Sequence, residues 1–306
     1  MPNMALLSIR VTLWRRLSRI LVMVLATVVA RAQDQPAARP VRPPHRWVYQ
    51  PAGKLPDGVT HHTFRSKAMG IDVGYCIYLP PAYDRDPAMR FPVVYWHHGG
   101  LGNELSGMRD VAPVFSRAIA AGEVPPMIIV YDNGGPAGHY DAPGPQSLGE
   151  TAFITELIPE IDHTYRTIAD RDHRSLEGMS LGGRAATRDL FKHPELFCSA
   201  VIIGGGYAVE QKALDAGQSL ENNVFLLAKH YAAHPVPPVH LLLIVGTKDY
   251  NYEGHLAFMK FLGGLGIAFE QKIVDGATHT YPAYYGTLGA FTLKFHAEQF
   301  KASAGH

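Results

Sequence analysis

Cysteine is scarce: the 306-residue chain holds two, Cys76 and Cys198. Two cannot build the disulfide framework of a small secreted scaffold, and neither has the paired spacing of a zinc site. The 16 histidines include no His-Glu-x-x-His or comparable ligand pattern, so no metal is expected, and no other cofactor. An excess of charge of one sign is also missing. Lysine plus arginine number 28 against 27 aspartate plus glutamate. With no basic stripe, nucleic acid is a poor candidate partner. No apolar run approaches the roughly 20 residues that cross a bilayer, and no segment repeats at a fixed period.

What is present is material for a core. Apolar residues make up 47% and charged residues 18%, the balance of a globular enzyme rather than of a disordered or fibrous chain. The length suits one large domain, the simplest count. Both cysteines fall in apolar, strand-like stretches, 73–78 and 197–203. Two buried free thiols are the preferred reading over a bridge.

The first 32 residues stand apart. They carry Arg10, Arg15, Arg16, Arg19 and Arg31 and no acidic residue. An apolar run, residues 20–30, follows the basic group and leads into Ala30-Arg31-Ala32. A basic front, a short apolar middle and an Ala-x-Ala end describe a secretory signal peptide. Cleavage is expected after Ala32, with no stable membrane span afterwards and a secreted or periplasmic location. An uncleaved anchor is the alternative. Arg15-Arg16 mimics a twin-arginine signal, but the Leu-Ser-Arg that follows fits that pattern poorly. Without residues 1–32 the chain has 23 basic against 27 acidic residues, a net of −4. Residues 33–55, rich in Pro, Ala, Arg and Gln, read as a flexible linker, leaving 56–306 as the folded domain.

From about residue 60 the pattern becomes regular. Strands are expected at 73–79, 91–96, 127–131, 174–177, 200–203, 241–245 and 269–274. Helices are expected at 105–121, 150–165, 180–192, 221–233, 256–265 and 288–300. Apolar strands alternating with amphipathic helices predict an α/β fold: one mostly parallel central sheet with helices on both faces.

One short stretch, Gly178-Met179-Ser180-Leu181-Gly182, carries the chemistry. In a Gly-x-Ser-x-Gly turn between strand and helix, the serine sits on strained dihedrals that lift its hydroxyl clear of the sheet. Side chains at the glycine positions would collide with neighbouring backbone. A neutral serine needs a base. In the fold that uses this turn, the chain order is serine, acid, histidine. Asp249 follows the apolar strand 241–245, and His279 follows the strand 269–274. Ser180, Asp249 and His279 are therefore the expected nucleophile, acid and base. Asp275, four residues before His279, is the rival acid, better suited to capping its loop. The oxyanion is expected to meet the Leu181 N–H and one from the loop after the second strand, His98-Gly99-Gly100-Leu101-Gly102: Gly100, or alternatively Leu101. His97 and His98 are read as fixing the shape of that loop. His163 and His193 are placed at helix ends, and His61 and His62 on the surface ahead of the main sheet.

Six segments together resemble the esterase D and feruloyl esterase-like branch of the α/β hydrolases. They are Tyr78-Leu-Pro-Pro-Ala-Tyr83, Tyr95-Trp-His-His-Gly-Gly-Leu-Gly-Asn-Glu104, Glu156-Leu-Ile-Pro-Glu-Ile-Asp-His-Thr-Tyr-Arg-Thr167, Glu177-Gly-Met-Ser-Leu-Gly-Gly183, Gly246-Thr-Lys-Asp249 and Gly276-Ala-Thr-His279. The resemblance implies the α/β-hydrolase fold and a serine carboxylesterase working through an acyl-enzyme, acting on feruloyl or acetyl esters of plant polysaccharide among other candidates. It supports the same triad. Two positions depart from the usual pattern: Leu181, where many relatives carry Met, and Tyr281, near the site of a common aromatic. Tyr281, with Tyr284 and Tyr285 beside it, either stacks on an aromatic or sugar group or packs on the surface. Tyr140 and Asn133 are further candidates for substrate contact. An acyltransferase with the same triad is the runner-up, and a non-catalytic binding protein on the hydrolase fold the remaining alternative. Oligomeric state is not legible. If the leader is processed as expected, N-terminal sequencing of the exported protein will begin at Gln33; any other start in intact protein overturns the cleavage site.

Overall fold

The computed structural model describes residues 44–215, 222–234 and 237–303. The expected signal peptide and the first part of the expected linker lie outside the described residues.

Eight strands form one sheet in the order β1-β2-β4-β3-β5-β6-β7-β8: β1 Val59–Ser66, β2 Ile71–Tyr78, β3 Val93–His97, β4 Ile128–Asp132, β5 Arg174–Met179, β6 Ser199–Ile203, β7 His240–Gly246 and β8 Glu270–Val274. β1 and β2 make an antiparallel hairpin, and β2 meets β4 antiparallel. From β4 across to β8 every pairing is parallel. Strands β3 to β6 are buried throughout, because both faces of the sheet are covered; β3, β4 and β6 are accordingly apolar along most of their length, while β5 also buries Arg174, Ser175 and Glu177.

The period of two along a strand divides the core. Val93, Tyr95, Ile128, Val130, Leu176 and Ile202 belong to one apolar layer, and Val94, Trp96, Ile129, Tyr131, Val201 and Ile203 to the other. The first layer is closed by the helical stretch 149–164 and by helices Leu181–Lys192, Val224–Ala233 and Tyr252–Gly264. The second is closed by Met108–Ala120, Tyr281–Leu288 and Phe291–Ser303. Within 149–164 the turns of Ala152–Leu157 are wound as a π-helix. Cys76 and Cys198 are buried free thiols, and burial pushes them up to about 12 and about 11.

Four differences from the sequence reading have physical causes. β1 is an edge strand, half exposed and largely polar (Val-Thr-His-His-Thr-Phe-Arg-Ser), so apolar periodicity does not reveal it. His61 and His62 therefore lie within the sheet rather than ahead of it. Helix Ala208–Asp215 was likewise not expected. The C-terminal helix expected over 288–300 runs Phe291–Ser303, set off by Gly289 at φ +55° from a preceding helix, Tyr281–Leu288, that was not expected. Finally, the domain reaches back to His45, so residues 45–55 are not a free linker. Trp47 is buried, its Nε1–H donates to Gln146 O at 3.0 Å, and its carbonyl accepts from Gly74 N at 2.6 Å. A single aromatic anchor in a Pro-rich stretch has no period to betray it. Trp47→Ala is expected to lower the unfolding free energy by about 3 kcal/mol, read as a lower urea midpoint; an unchanged midpoint would show that this segment is not part of the cooperative unit.

Candidate active site

Ser180 joins β5 to helix Leu181–Lys192 with φ 61° and ψ −119°, a conformation that a residue with a side chain occupies only under constraint. Its N–H donates to Ile203 O at 2.8 Å, and its carbonyl accepts from Arg184 N at 3.0 Å. The flanking glycines allow the turn. A Cβ at Gly178 would lie 2.4 Å from the Gly182 carbonyl group, and one at Gly182 would lie 2.1 Å from His97 O and 2.5 Å from His98 O. Backbone of the helix thus rests directly on backbone of the glycine-rich loop after β3.

That packing brings the expected residues together. A cavity of about 300 Å³ is lined by Ser180, His279, Gly100, Leu101, Tyr250 and Tyr281, among others. His279 Nδ1 stands 2.7 Å from Asp249 Oδ2. Asp249, at the carboxyl end of β7, also accepts from Asn251 N at 2.7 Å and from the Tyr284 hydroxyl. Burial alone would raise the Asp249 carboxyl. The hydrogen bonds from His279, Tyr284 and Asn251 outweigh it and hold the group below its ordinary value. Because the folded-state pKa is depressed, this pairing favours the folded state above the ordinary carboxylate range and loses that contribution as the pH falls through the depressed value. Asp275, the rival acid, accepts from Thr247 Oγ1 at 3.0 Å and stays on its loop.

Three backbone N–H groups near the cavity lack a backbone partner among the described residues. Leu181 opens its helix, so its N–H has no partner within the helix. In the glycine-rich loop, the Gly99 N–H is committed to the Tyr281 hydroxyl at 2.9 Å. Those of Gly100 and Leu101 donate to no backbone or side-chain acceptor among the described residues. Leu101, at φ 66°, is exposed at the rim. Tyr250, also exposed, lays its ring 4.2 Å from that of His279.

The expected substrate-contact residues divide. Tyr281 lines the cavity, with its ring against Trp96 and its hydroxyl on Gly99. Tyr284 and Tyr285 are buried, neither stacked on an open site nor on the surface. Tyr284 takes the Gly246 N–H at 2.8 Å as well as bonding Asp249. Tyr285 donates to Glu177 Oε1 at 2.6 Å and accepts from Trp96 Nε1. Asn133 is also buried and spends its amide on Glu104 and Arg46 O, and its carbonyl on His45 and Gly135 N. Tyr140 donates to Glu210 at 2.9 Å under Arg188. Neither residue is among those lining the cavity. His98 does fix the glycine-rich loop: its two ring nitrogens lie 2.7 Å from Gly99 O and 2.5 Å from Asn133 O. Sequence reasoning missed the bond from Tyr284 to Asp249, which depends on the unexpected helix Tyr281–Leu288, and missed a buried grouping of His97, Asp132 and His139, whose members are too far apart in the chain for any spacing motif.

With this geometry in view, comparison with known proteins is decisive. The esterase family model, described as "Putative esterase", matches residues 66–297. The chain belongs to this esterase family of the α/β-hydrolase superfamily. Over 231 residues, 72% of this chain, it is 30% identical to an endo-1,4-beta-xylanase/feruloyl esterase of Xylanibacter ruminicola. Over 144 residues, 46% of this chain, it is 34% identical to Esterase Rv1288 of Mycobacterium tuberculosis. Those matches span 28% and 30% of the relatives' own lengths. Among solved structures, a ferulic acid esterase superposes with TM-score 0.68 at 26% identity, covering 79% of this chain and 98% of that one. An S-formylglutathione hydrolase of Staphylococcus aureus, TM-score 0.64 at 15% identity over 78% of this chain and 98% of that one, shares the fold.

The elbow makes a contrast that stability measurements resolve. Gly182→Ala should cost about 3 kcal/mol, since the added carbon overlaps a carbonyl that cannot yield. Gly263→Ala, in a helix where an added Cβ meets nothing within 4 Å, should instead stabilise by about 0.5 kcal/mol. Equal effects in a denaturation series would refute the steric account of the turn.

Proposed function

We propose that this esterase-family protein is an exported serine carboxylesterase that cleaves carboxylic esters through an acyl-enzyme on Ser180. The observation that carries the reading is the hydrogen-bonded His279–Asp249 pair on the same cavity as Ser180. Tethered to Asp249 through Nδ1, the imidazole has Nε2 left to act as base.

In this reading His279 removes the Ser180 proton as Oγ attacks the ester carbonyl. The tetrahedral oxyanion is met by the Leu181 N–H and the Gly100 N–H, with Leu101 as the alternative donor. Asp249 keeps the proton on Nδ1 and balances the imidazolium charge. His279 then protonates the departing alcohol, leaving Ser180 acylated. Water, deprotonated by His279, attacks the acyl carbonyl; the acid departs and Ser180 recovers its proton. Tyr281, Leu101 and Tyr250 give the cavity an apolar and aromatic rim suited to an acyl group with a flat or short chain, such as feruloyl or acetyl. The family's feruloyl esterase relatives support that substrate class. The N-terminal leader pattern supports export.

The test is hydrolysis of para-nitrophenyl acetate, butyrate and octanoate and of methyl ferulate by wild type and by Ser180→Ala. Loss of about a thousand-fold or more in kcat with the fold intact is expected. A folded Ser180→Ala enzyme with wild-type turnover would sink the mechanism. A transfer product outweighing hydrolysis, in the presence of an alcohol, would reassign the enzyme as an acyltransferase.

A further inference from the structure

Directly behind the glycine-rich loop lies a buried ionic cluster that takes no part in the reaction as described above. Asp132, at the carboxyl end of β4, is buried between two histidines. His97 Nδ1 stands 2.9 Å from Oδ1, and His139 Nδ1 stands 3.1 Å from Oδ2. The far side of each ring meets another acceptor. His139 Nε2 lies 3.1 Å from the His98 carbonyl, and His97 Nε2 lies 3.4 Å from Asp189 Oδ2, an ion-pair distance rather than a hydrogen bond. Asp189, on the helix that Ser180 opens, is paired in turn with Arg188, which also donates to the His139 carbonyl. The rings are tilted against one another, by 52° for 97 and 139 and 45° for 98 and 139, with centroids 4.6 Å apart in each pair. Each imidazole addresses its own carboxylate oxygen at hydrogen-bond distance.

Asp132 thereby reaches, through one histidine on each side, two of the elements around the candidate oxyanion hole. Through His97 it reaches the helix behind Ser180. Through His139 it reaches the carbonyl of His98, the residue before Gly99-Gly100. The same His97 and His98 carbonyls are the atoms on which Gly182 rests. We propose that Asp132 is the positioning residue of the glycine-rich loop, an ionised anchor that holds the His97–His98 backbone so that the loop's N–H groups face the serine. This rests on the reading of that loop as the oxyanion hole.

Charge balance agrees. Burial opposes protonation of His97, but the Asp132 and Asp189 carboxylates on either side outweigh it and raise the ring to about 9. Asp132 is held well below its ordinary value, with burial opposed by the two imidazoles. The groups facing His97 are Asp132 from β4, His139 from the loop after it, and Asp189 with Arg188 from the helix after Ser180. A raised pKa means that the stabilisation is complete below the ordinary histidine range and fades as the pH rises through about 9.

The experiment compares wild type, Asp132→Asn and His139→Asn on para-nitrophenyl acetate across pH. Asparagine suits position 139, where φ is +68°. Both variants should lose about tenfold or more in kcat with KM within about twofold, because displacing oxyanion donors weakens the transition state and not the substrate. Inhibition by a trifluoromethyl ketone, whose serine adduct carries the oxyanion, should weaken in parallel. Wild-type kcat should fall above pH about 9, and that limb should move to lower pH in Asp132→Asn, where His97 has lost a counter-charge. A purely structural role would lower the melting temperature and leave the pH limb and the ketone affinity in place, overturning the proposal. If Asp132→Asn does not fold, His139→Asn decides: a folded variant with kcat within twofold of wild type overturns it. Ser180→Ala in the same assay separates the two readings. If it is inactive while both folded variants retain wild-type kcat, only the role of Asp132 falls. If it is active, the oxyanion assignment falls and takes this inference with it.

Discussion

The left-handed turn at Ser180 constrains everything around it. Dihedrals of 61° and −119° persist only where surrounding contacts leave no alternative. Here they are supplied by the Ser180 N–H on Ile203 O, by the first helical bond from Arg184, and by carbonyl contacts at Gly178 and Gly182 that no side chain would fit. The strain is carried by the sheet. β5 is central, paired in parallel with β3 and β6, so the turn cannot relax without breaking ladders on both sides. The same close approach sets the distance between the helix N-terminus and the glycine-rich loop, and so fixes where two sets of free N–H groups can point.

Around this turn the sheet buries carboxylates, which in a parallel α/β core demands full pairing. Asp132 has an imidazole on each oxygen. Glu177, three residues before Ser180, has Tyr285 on one oxygen and His296 on the other. Asp249 has Asn251 on one, and His279 with Tyr284 on the other. An unpaired buried charge costs several kcal/mol, so each carboxylate commits its partners to one geometry. These commitments, more than the apolar layers, make the site rigid: apolar contacts tolerate sliding, whereas a charged hydrogen bond does not.

Legibility in the sequence followed locality. Strands β3, β4 and β6 announced themselves because burial on both faces leaves mostly apolar residues, and the turn at Ser180 did because its two glycines, its serine and the flanking strand and helix are contiguous. Asp249 and His279 were found through chain order and their place after late strands. The buried grouping of His97, Asp132 and His139 was not, since 35 positions separate His97 from Asp132 and each alone reads as an ordinary residue beside a turn. Edge strand β1 was invisible for the opposite reason: half of it faces solvent, so its polar residues carry no pattern. Asn133 and Tyr140, candidates for substrate contact, instead commit their polar groups to Glu104 and Glu210, because a position in the sequence says nothing of the direction in which a side chain points.

Helix Tyr281–Leu288 shows what such local reading leaves out. Its tyrosines at 281, 284 and 285 occupy positions i, i+3 and i+4, one face of a helix, yet each hydroxyl goes to a different part of the site. Tyr281 holds the Gly99 N–H, Tyr284 the Asp249 carboxylate, and Tyr285 the Glu177 carboxylate beneath the elbow. A single residue, Thr280, separates His279 from the first of these contacts. The register of the helix therefore sets the position of the histidine relative to loop, acid and serine together. A hydroxyl that takes the Gly99 N–H also removes that donor from the cavity and leaves the N–H groups of Gly100 and Leu101, next in the loop, as those the proposed mechanism draws on.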